Sequence, residues 1–137
     1  MKMRNRFVFD TNTIVSAALF SASIPRRALD KALLSGSVLV SEATTLELLT
    51  VLLRTKFDRY LLREKRELFL ASLLQQTQFV EITETIVACR DAKDDKFLEV
   101  AVNGHAVSLV TGDTDLLVLH PFRDIAIVTP RAFSDQT

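Results

Sequence analysis

The feature that most constrains the fold is a short apolar run, Phe7-Val8-Phe9, that ends directly in the acidic residue Asp10. Three consecutive apolar residues predict a strand buried on both faces, which is typical of a parallel sheet covered by helices. Asp10 follows the carboxyl end of this strand, where open α/β sheets bind their ligands. A buried carboxylate is costly unless a cation or a metal is paired with it. Asp10 therefore predicts a ligand position, although a simple helix cap is the alternative.

Further apolar runs alternate with segments of helical periodicity along the whole chain. Thr11 or Asn12 is the predicted cap of the first helix, and Ser41 that of the third. Residues 83–93 are predicted to be irregular and residues 130–137 to be a tail. The alternation predicts an α/β fold with a mostly parallel sheet covered on both faces. The predicted helices are residues 12–20, 25–35, 42 to about 56, 59–77, 94 or 95 to about 104, and 113–119, and the remaining strands are 37–40, 79–82, 106–110 and 125–128.

Length and composition limit the classes of protein that the chain can represent. Its 137 residues, 48% of them apolar, are enough for one domain with a proper core. No apolar stretch has the length needed to cross a bilayer. Cys89 is the single cysteine, so a disulfide framework is excluded and a reducing cytoplasm is the expected location. Lys and Arg total 17, as do Asp and Glu, so a nucleic acid would have to meet a local basic patch.

Acidic residues recur at similar points of the predicted elements. Glu47 lies in a helix that is apolar nearly all round, so it is either at the boundary with solvent or partly buried with a partner. Asp113 lies just past the end of another buried strand, in Thr111-Gly112-Asp113-Thr114-Asp115. Asp115 is predicted to be exposed or a cap, with the alternative that it helps to hold a second ion.

Helical spacing predicts that the side chains of the adjacent residues Asp94 and Asp95 point in different directions. Asp94 lies three, four and seven residues before Phe97, Leu98 and Ala101, so it is predicted to share their inward face. Asp95 is predicted to be rotated toward solvent, which makes Asp94 the preferred site residue. The alternative is that both acids simply favour a helix N-terminus.

The predicted fold brings these carboxylates to one crevice, where unpaired charges would repel and raise each other's pKa. A hard divalent cation resolves that conflict, and oxygen ligands suit Mg²⁺ or Mn²⁺. The isolated His105 and His120 provide no zinc site. A metal in an acidic crevice fits phosphoryl chemistry. Two basic clusters are compatible with a polymeric substrate but equally with solvated helix faces: Arg54, Lys56, Arg59, Arg63, Lys65 and Arg66, and Arg26, Arg27 and Lys31.

The ordered set of motifs resembles the PIN domain family, in the branch usually described as toxins of toxin–antitoxin pairs. The matching segments are residues 7–12, 41–54 with Glu47, 90–101 and 109–113. The resemblance implies a three-layer α/β/α fold and a metal-dependent ribonuclease acting on single-stranded RNA. It also implies an acidic quartet around Mg²⁺ or Mn²⁺, accessory polar residues beside it, homodimers, and inhibition by an antitoxin. The quartet is Asp10, Glu47, Asp94 and Asp113, and the accessory positions are Asn12 and Thr111.

Asp95 departs from the family pattern, because the family often has Asn at this position. The identity of the third acid therefore stays open between Asp94 and Asp95. Two other functions remain as alternatives. One is a haloacid-dehalogenase-like phosphatase, which would need a second Asp where this chain has Asn12. The other is a partner-binding module without hydrolysis. Residues 12–20 and 59–77 are the candidate apolar surfaces for dimerisation.

Overall fold

Five strands form one sheet in the computed structural model, which describes residues 5–136. All neighbouring strands are parallel, in the order β3-β2-β1-β4-β5. The predicted parallel sheet of four to five strands is therefore confirmed. The strands are β1 (Asn5–Phe9), β2 (Gly36–Val40), β3 (Thr77–Phe79), β4 (Ser108–Val110) and β5 (Ala126–Val128).

Helices cover both faces of this sheet. Along β1, Phe7 and Phe9 contribute to the core under α1 to α4 and α7, whereas Val8 contributes to the core under α5 and α6. This period-two alternation of buried residues produces the three-layer α/β/α architecture, as predicted. The helices are α1 (Thr11–Leu19), α2 (Ile24–Ser35), α3 (Glu42–Leu52), α4 (Arg63–Gln75), α5 (Asp95–Asn103), α6 (Thr114–Leu117) and α7 (Pro130–Asp135). Among the described residues, no helix is long and apolar enough to cross a membrane.

The order of the strands reverses at the centre of the sheet. From β1 the chain adds β2 and β3 on one side, and it later returns to place β4 and β5 on the other. Helices that leave in opposite directions open a crevice at the carboxyl ends of β1 and β4, the usual ligand position in such sheets. Asp10 and Thr111 directly follow these two strands.

The segment between α3 and α4 differs from the prediction. Helix α3 ends at Leu52 and α4 begins at Arg63, whereas the sequence predicted helices to about residue 56 and from residue 59. The buried Arg66 guanidinium explains the difference, because it donates hydrogen bonds to the carbonyls of Leu52, Arg54 and Leu61. In a continuous helix these carbonyls would accept hydrogen bonds from backbone N–H groups, and here the guanidinium takes the place of those donors. The next strand, β3, also begins two residues before the predicted residues 79–82.

The prediction that residues 130–137 form a tail is wrong over the part the structure describes. Thr129 caps α7 and Pro130 occupies its first turn, the position where proline is favoured. Phe133 is buried and packs edge-to-face on Phe7 and Phe9, with ring centroids 5.1 and 5.9 Å apart. The helix is too short for a clear periodic signal, and its burial depends on β1, far away in the chain.

Candidate metal centre at the strand ends

Asp10 is held rigidly where β1 meets α1. Its carboxylate is 5% exposed; Oδ1 accepts the backbone N–H of Thr13 at 2.9 Å and Oδ2 accepts the Thr111 hydroxyl at 2.5 Å. Asp10 is therefore the cap of α1, and the prediction of Thr11 or Asn12 as the cap is wrong. Burial raises the pKa of Asp10, partly offset by the hydrogen bonds from Thr111 and Thr13 and reinforced by the charge of Asp113. The two interpretations of Asp10, cap and ligand, are thus compatible.

Thr111 links the two strand ends that line the crevice. It is fully buried, donates its hydroxyl proton to Asp10, and accepts the backbone N–H of Asp113 at 3.0 Å. Asp113 in turn caps α6 by accepting the N–H of Asp115 at 2.8 Å. The orientation of Asp10 is therefore coupled to the loop that carries Asp113.

Three carboxylates converge beside Asp10. Asp94, Asp113 and Asp115 each offer an oxygen atom, and these atoms lie within 4.8 Å of one another. Burial, together with the charges of Asp113, Asp91 and Asp10, raises the pKa of Asp94 to about 6. Mutual repulsion of this kind is the electrostatic condition that a bound cation relieves.

Asp95 is buried, so the prediction that it rotates toward solvent is wrong. It is 7% exposed, and its Oδ1 accepts the backbone N–H groups of Ala88 and Cys89 at 3.1 and 2.7 Å. Burial acts to raise the pKa of Asp95, but these hydrogen bonds outweigh it and the pKa lies below its ordinary value. The structure thus gives Asp95 a role in holding the loop before α5.

Glu47 meets a partner that the sequence did not indicate. It forms an ion pair with Lys96 of α5, and both side chains are partly buried. Of the two interpretations of Glu47, partial burial with a partner is the one observed. Lys96 lies two residues after Asp94, but only the packing of α3 against α5 brings it to Glu47.

A cavity of about 370 Å³ adjoins these acids. Asp10 and Asp113 line it together with Asn12, Ser16 and Gly112. Two further cavities of about 400 and 610 Å³ lie along α2, against α4 and α7, and their linings contain none of the candidate acids. The cavity at the strand ends can therefore admit a substrate to Asp10 and Asp113.

The donor atoms fit a hard divalent cation. Carboxylate oxygens converge without a histidine or thiolate among them, and this donor chemistry suits Mg²⁺ or Mn²⁺. Burial raises the pKa of the nearby Cys89 thiol to about 12, and Asp95 contributes to that rise.

Part of the predicted basic surface is structural. Arg66 is fully buried and pairs with Asp58. Arg26 is bonded to Asp30 and the Ala17 carbonyl, and Lys31 donates to the Phe133 carbonyl at 2.9 Å. The cations of the first cluster that remain exposed are Arg54, Lys56, Arg59, Arg63 and Lys65.

A parallel α/β sheet with acids at its strand switch point defines a class of proteins that bind ligands at the carboxyl ends of their strands. Within it, the sequence model described as PIN domain matches residues 6–115, and the chain belongs to that family, whose members are generally metal-dependent nucleases. An uncharacterized protein of Methanocaldococcus jannaschii is 31% identical over 120 residues, covering 86% of this chain and 77% of that protein. The crystal structure of VapBC2 from Rickettsia felis, bound to a DNA fragment from their promoter, has a chain similar in fold. That match has a TM-score of 0.60 at 13% identity and covers 90% of this chain and 98% of that one.

Proposed function

We propose that this protein is an endoribonuclease that uses Mg²⁺ or Mn²⁺ to hydrolyse phosphodiester bonds of single-stranded RNA. The observation that supports it most strongly is the approach of the Asp94, Asp113 and Asp115 carboxylates to within 4.8 Å of one another, beside the buried Asp10. Membership of the PIN domain family supports the same activity and argues against the haloacid-dehalogenase-like alternative.

In this proposal Asp10, Asp94 and Asp113 hold the metal, and Asp115 supports it. The bound cation supplies a Lewis acid that activates water and neutralises the charge developing on the phosphate. Thr111 keeps the Asp10 carboxylate oriented through its 2.5 Å hydrogen bond, which limits the reorganisation needed on binding. Asn12, exposed at the cavity wall, is placed to contact the substrate. Glu47 completes the acidic quartet.

We propose that the RNA backbone binds along the exposed cations between α3 and α4. Contacts between cations and phosphates release counterions, so binding through them weakens as salt rises. Arg66 is excluded from this surface by its burial. We expect Lys56 and Arg59, both exposed, to contribute to RNA affinity without sequence preference.

We propose further that the protein acts as the toxin of a toxin–antitoxin pair, as a homodimer in the cytoplasm. The fold similarity to a chain of the VapBC2 complex supports this role. Co-expression with the protein encoded beside it tests the proposal: a toxin would form a stable complex with that neighbour and lose its ribonuclease activity in it. Unchanged activity and no complex would contradict the role but not the nuclease.

The decisive experiment compares wild type with Asp10→Asn and Asp124→Asn on a single-stranded RNA in Mn²⁺, Mg²⁺ and EDTA. Asp124 is a matched control because it is exposed before β5, at the amino edge of the sheet, and asparagine tolerates its φ of 66°. We expect cleavage by wild type and Asp124→Asn that requires metal, and none by Asp10→Asn.

Equal cleavage by all three proteins would identify a contaminating ribonuclease. Folded protein that neither cleaves RNA nor binds Mn²⁺ would overturn the hydrolase and favour the partner-binding module. Cleavage that survives EDTA would overturn the metal requirement alone.

A further inference from the structure

The ion pair between Glu47 and Lys96 joins helices from opposite layers of the fold. Helix α3 packs on the face of Phe7 and Phe9, and α5 packs on the face of Val8. The two helices contact each other, and the pair forms where the start of α5 adjoins the acidic cluster. The Glu47 and Lys96 side chains are 29% and 20% exposed, so solvent screens their attraction only in part.

The candidate site is therefore divided into two electrostatic parts. Asp10, Asp94, Asp113 and Asp115 take part in none of the ion pairs found among residues 5–136. Glu47 differs, because the chain itself supplies its counter-charge. Among the described residues, Lys96 is thus an ion-pair partner for Glu47, and none of these ion pairs involves the other four acids.

We infer that Lys96 is a resident cation that takes the place of a second metal at Glu47 and limits the site to one divalent ion. The inference rests on the proposed metal-dependent function and assigns it a metal stoichiometry and a positioning residue. A lysine ammonium offers three donors and no acceptor. It can therefore neutralise Glu47 but cannot act as a metal ligand beside it.

Two contacts keep Lys96 in this position. Its ammonium group bonds to the Glu47 carboxylate and lies 5.7 Å from the centroid of the Phe97 ring. A second divalent ion at Glu47 would have to displace the ammonium, which breaks its ion pair with Glu47, or lie beside it, which like-charge repulsion at short range opposes. In this arrangement Lys96 keeps Glu47 oriented, and Asp10, Asp94 and Asp113 share the single ion.

Mn²⁺ binding without RNA tests the inference. Isothermal titration calorimetry and electron paramagnetic resonance count the ions bound to wild type, Lys96→Met, Lys96→Arg and the double variant Lys96→Met/Glu47→Gln. Lys93→Met removes one charge from an exposed lysine just before α5 and is the matched control. Circular dichroism verifies that each protein is folded, and Lys96→Gln is the second neutral variant.

We expect one tightly bound Mn²⁺ in wild type, Lys96→Arg and Lys93→Met. In Lys96→Met, a second ion should bind at least about tenfold more tightly than any second ion of wild type. Adding Glu47→Gln should remove that second ion, because it removes the carboxylate that Lys96 had neutralised.

Two tight ions in wild type, or no gain of a second ion in either neutral Lys96 variant, would overturn the inference while leaving the nuclease in place. A second ion that persists in the double variant would also overturn it, since Glu47 would not be its ligand. Absence of Mn²⁺ binding by every variant and by wild type would overturn the proposed function itself.

Discussion

Asp94 and Asp95 are adjacent in the chain but have opposite electrostatic environments. Asp94 makes no capping hydrogen bond and faces other carboxylates, whereas Asp95 accepts two backbone N–H groups. We predict that Asp95→Ala lowers the free energy of unfolding by about 1–3 kcal/mol, because two partly buried donors lose their acceptor. Asp94→Ala should leave stability unchanged or raised, and should weaken Mn²⁺ binding by more than about tenfold. Urea denaturation and Mn²⁺ titration separate the two effects.

Comparing Asp94→Ala with Asp95→Ala tests whether the two acids have different roles. A stability loss in Asp94→Ala as large as that in Asp95→Ala would contradict the division of roles. A larger loss of Mn²⁺ affinity in Asp95→Ala than in Asp94→Ala would show that Asp95 is the third metal ligand.

The pKa of Asp94 predicts how the stability of the metal-free protein depends on pH. Burial and the neighbouring acids raise this pKa from 3.8 to about 6, so the folded state binds the proton more tightly than the unfolded chain. The contribution of this proton is complete below about pH 4 and is lost as the pH rises through about 6. Urea denaturation in EDTA should therefore show a loss of stability across this range that is smaller in Asp94→Asn. An identical profile in the variant would contradict the assignment.

The titration of Asp95 does not overlap the pH range of that measurement. Its pKa lies below the ordinary value of 3.8, so its contribution is present above that pH and is lost only as the pH falls further.

Sequence reasoning located the acids more reliably than their orientations. Asp10 and Asp113 could be predicted because each lies just past the end of a buried strand, and parallel strands end at one edge. The orientation of Asp95 could not, since the periodicity of Phe97, Leu98 and Ala101 describes only one helix. The backbone at Ala88 and Cys89 that covers Asp95 belongs to an irregular segment with no periodic signal.

At the scale of elements, the pattern of a single helix likewise does not predict which side chains of α4 are buried. Arg66 falls in a basic run that looks like a solvated helix face, yet it is fully buried and bonded to three carbonyls and to Asp58. A basic run does not itself show which of its members turns inward, since only the contacts of the folded chain decide that. The short helix α7 was missed for a related reason, because Phe133 finds its partners on β1.

We predict that Arg66→Ala lowers the free energy of unfolding by about 3–5 kcal/mol, because it removes a fully buried side chain and leaves the carbonyls of Leu52, Arg54 and Leu61 without their donor. The neighbouring Lys65 is exposed, and Lys65→Ala should change stability by no more than about 0.5 kcal/mol. Urea denaturation of both variants provides the test. Equal stability would show that the segment before α4 does not depend on the buried guanidinium.

For the whole molecule, the order of elements was readable from sequence because alternating strands and helices admit few right-handed topologies. What sequence could not supply is the distance between side chains carried by different elements. The ion pair of Glu47 with Lys96 and the bond of Thr111 to Asp10 both join positions far apart in the chain. Both depend on the packing of complete layers.

The same dependence on the complete fold links metal binding to stability. Asp10, Asp94 and Asp113 lie on separate elements, so they form a site only in the folded state, and an ion bound there shifts the equilibrium toward it. At a Mn²⁺ concentration about 100-fold above Kd, the free energy of unfolding should rise by about 2.7 kcal/mol. Urea denaturation in Mn²⁺ and in EDTA should show this rise for wild type and Asp124→Asn. Asp113→Asn should lose most of it, because the cluster then lacks one of its converging carboxylates; a rise of equal size in that variant would place the ion elsewhere on the molecule.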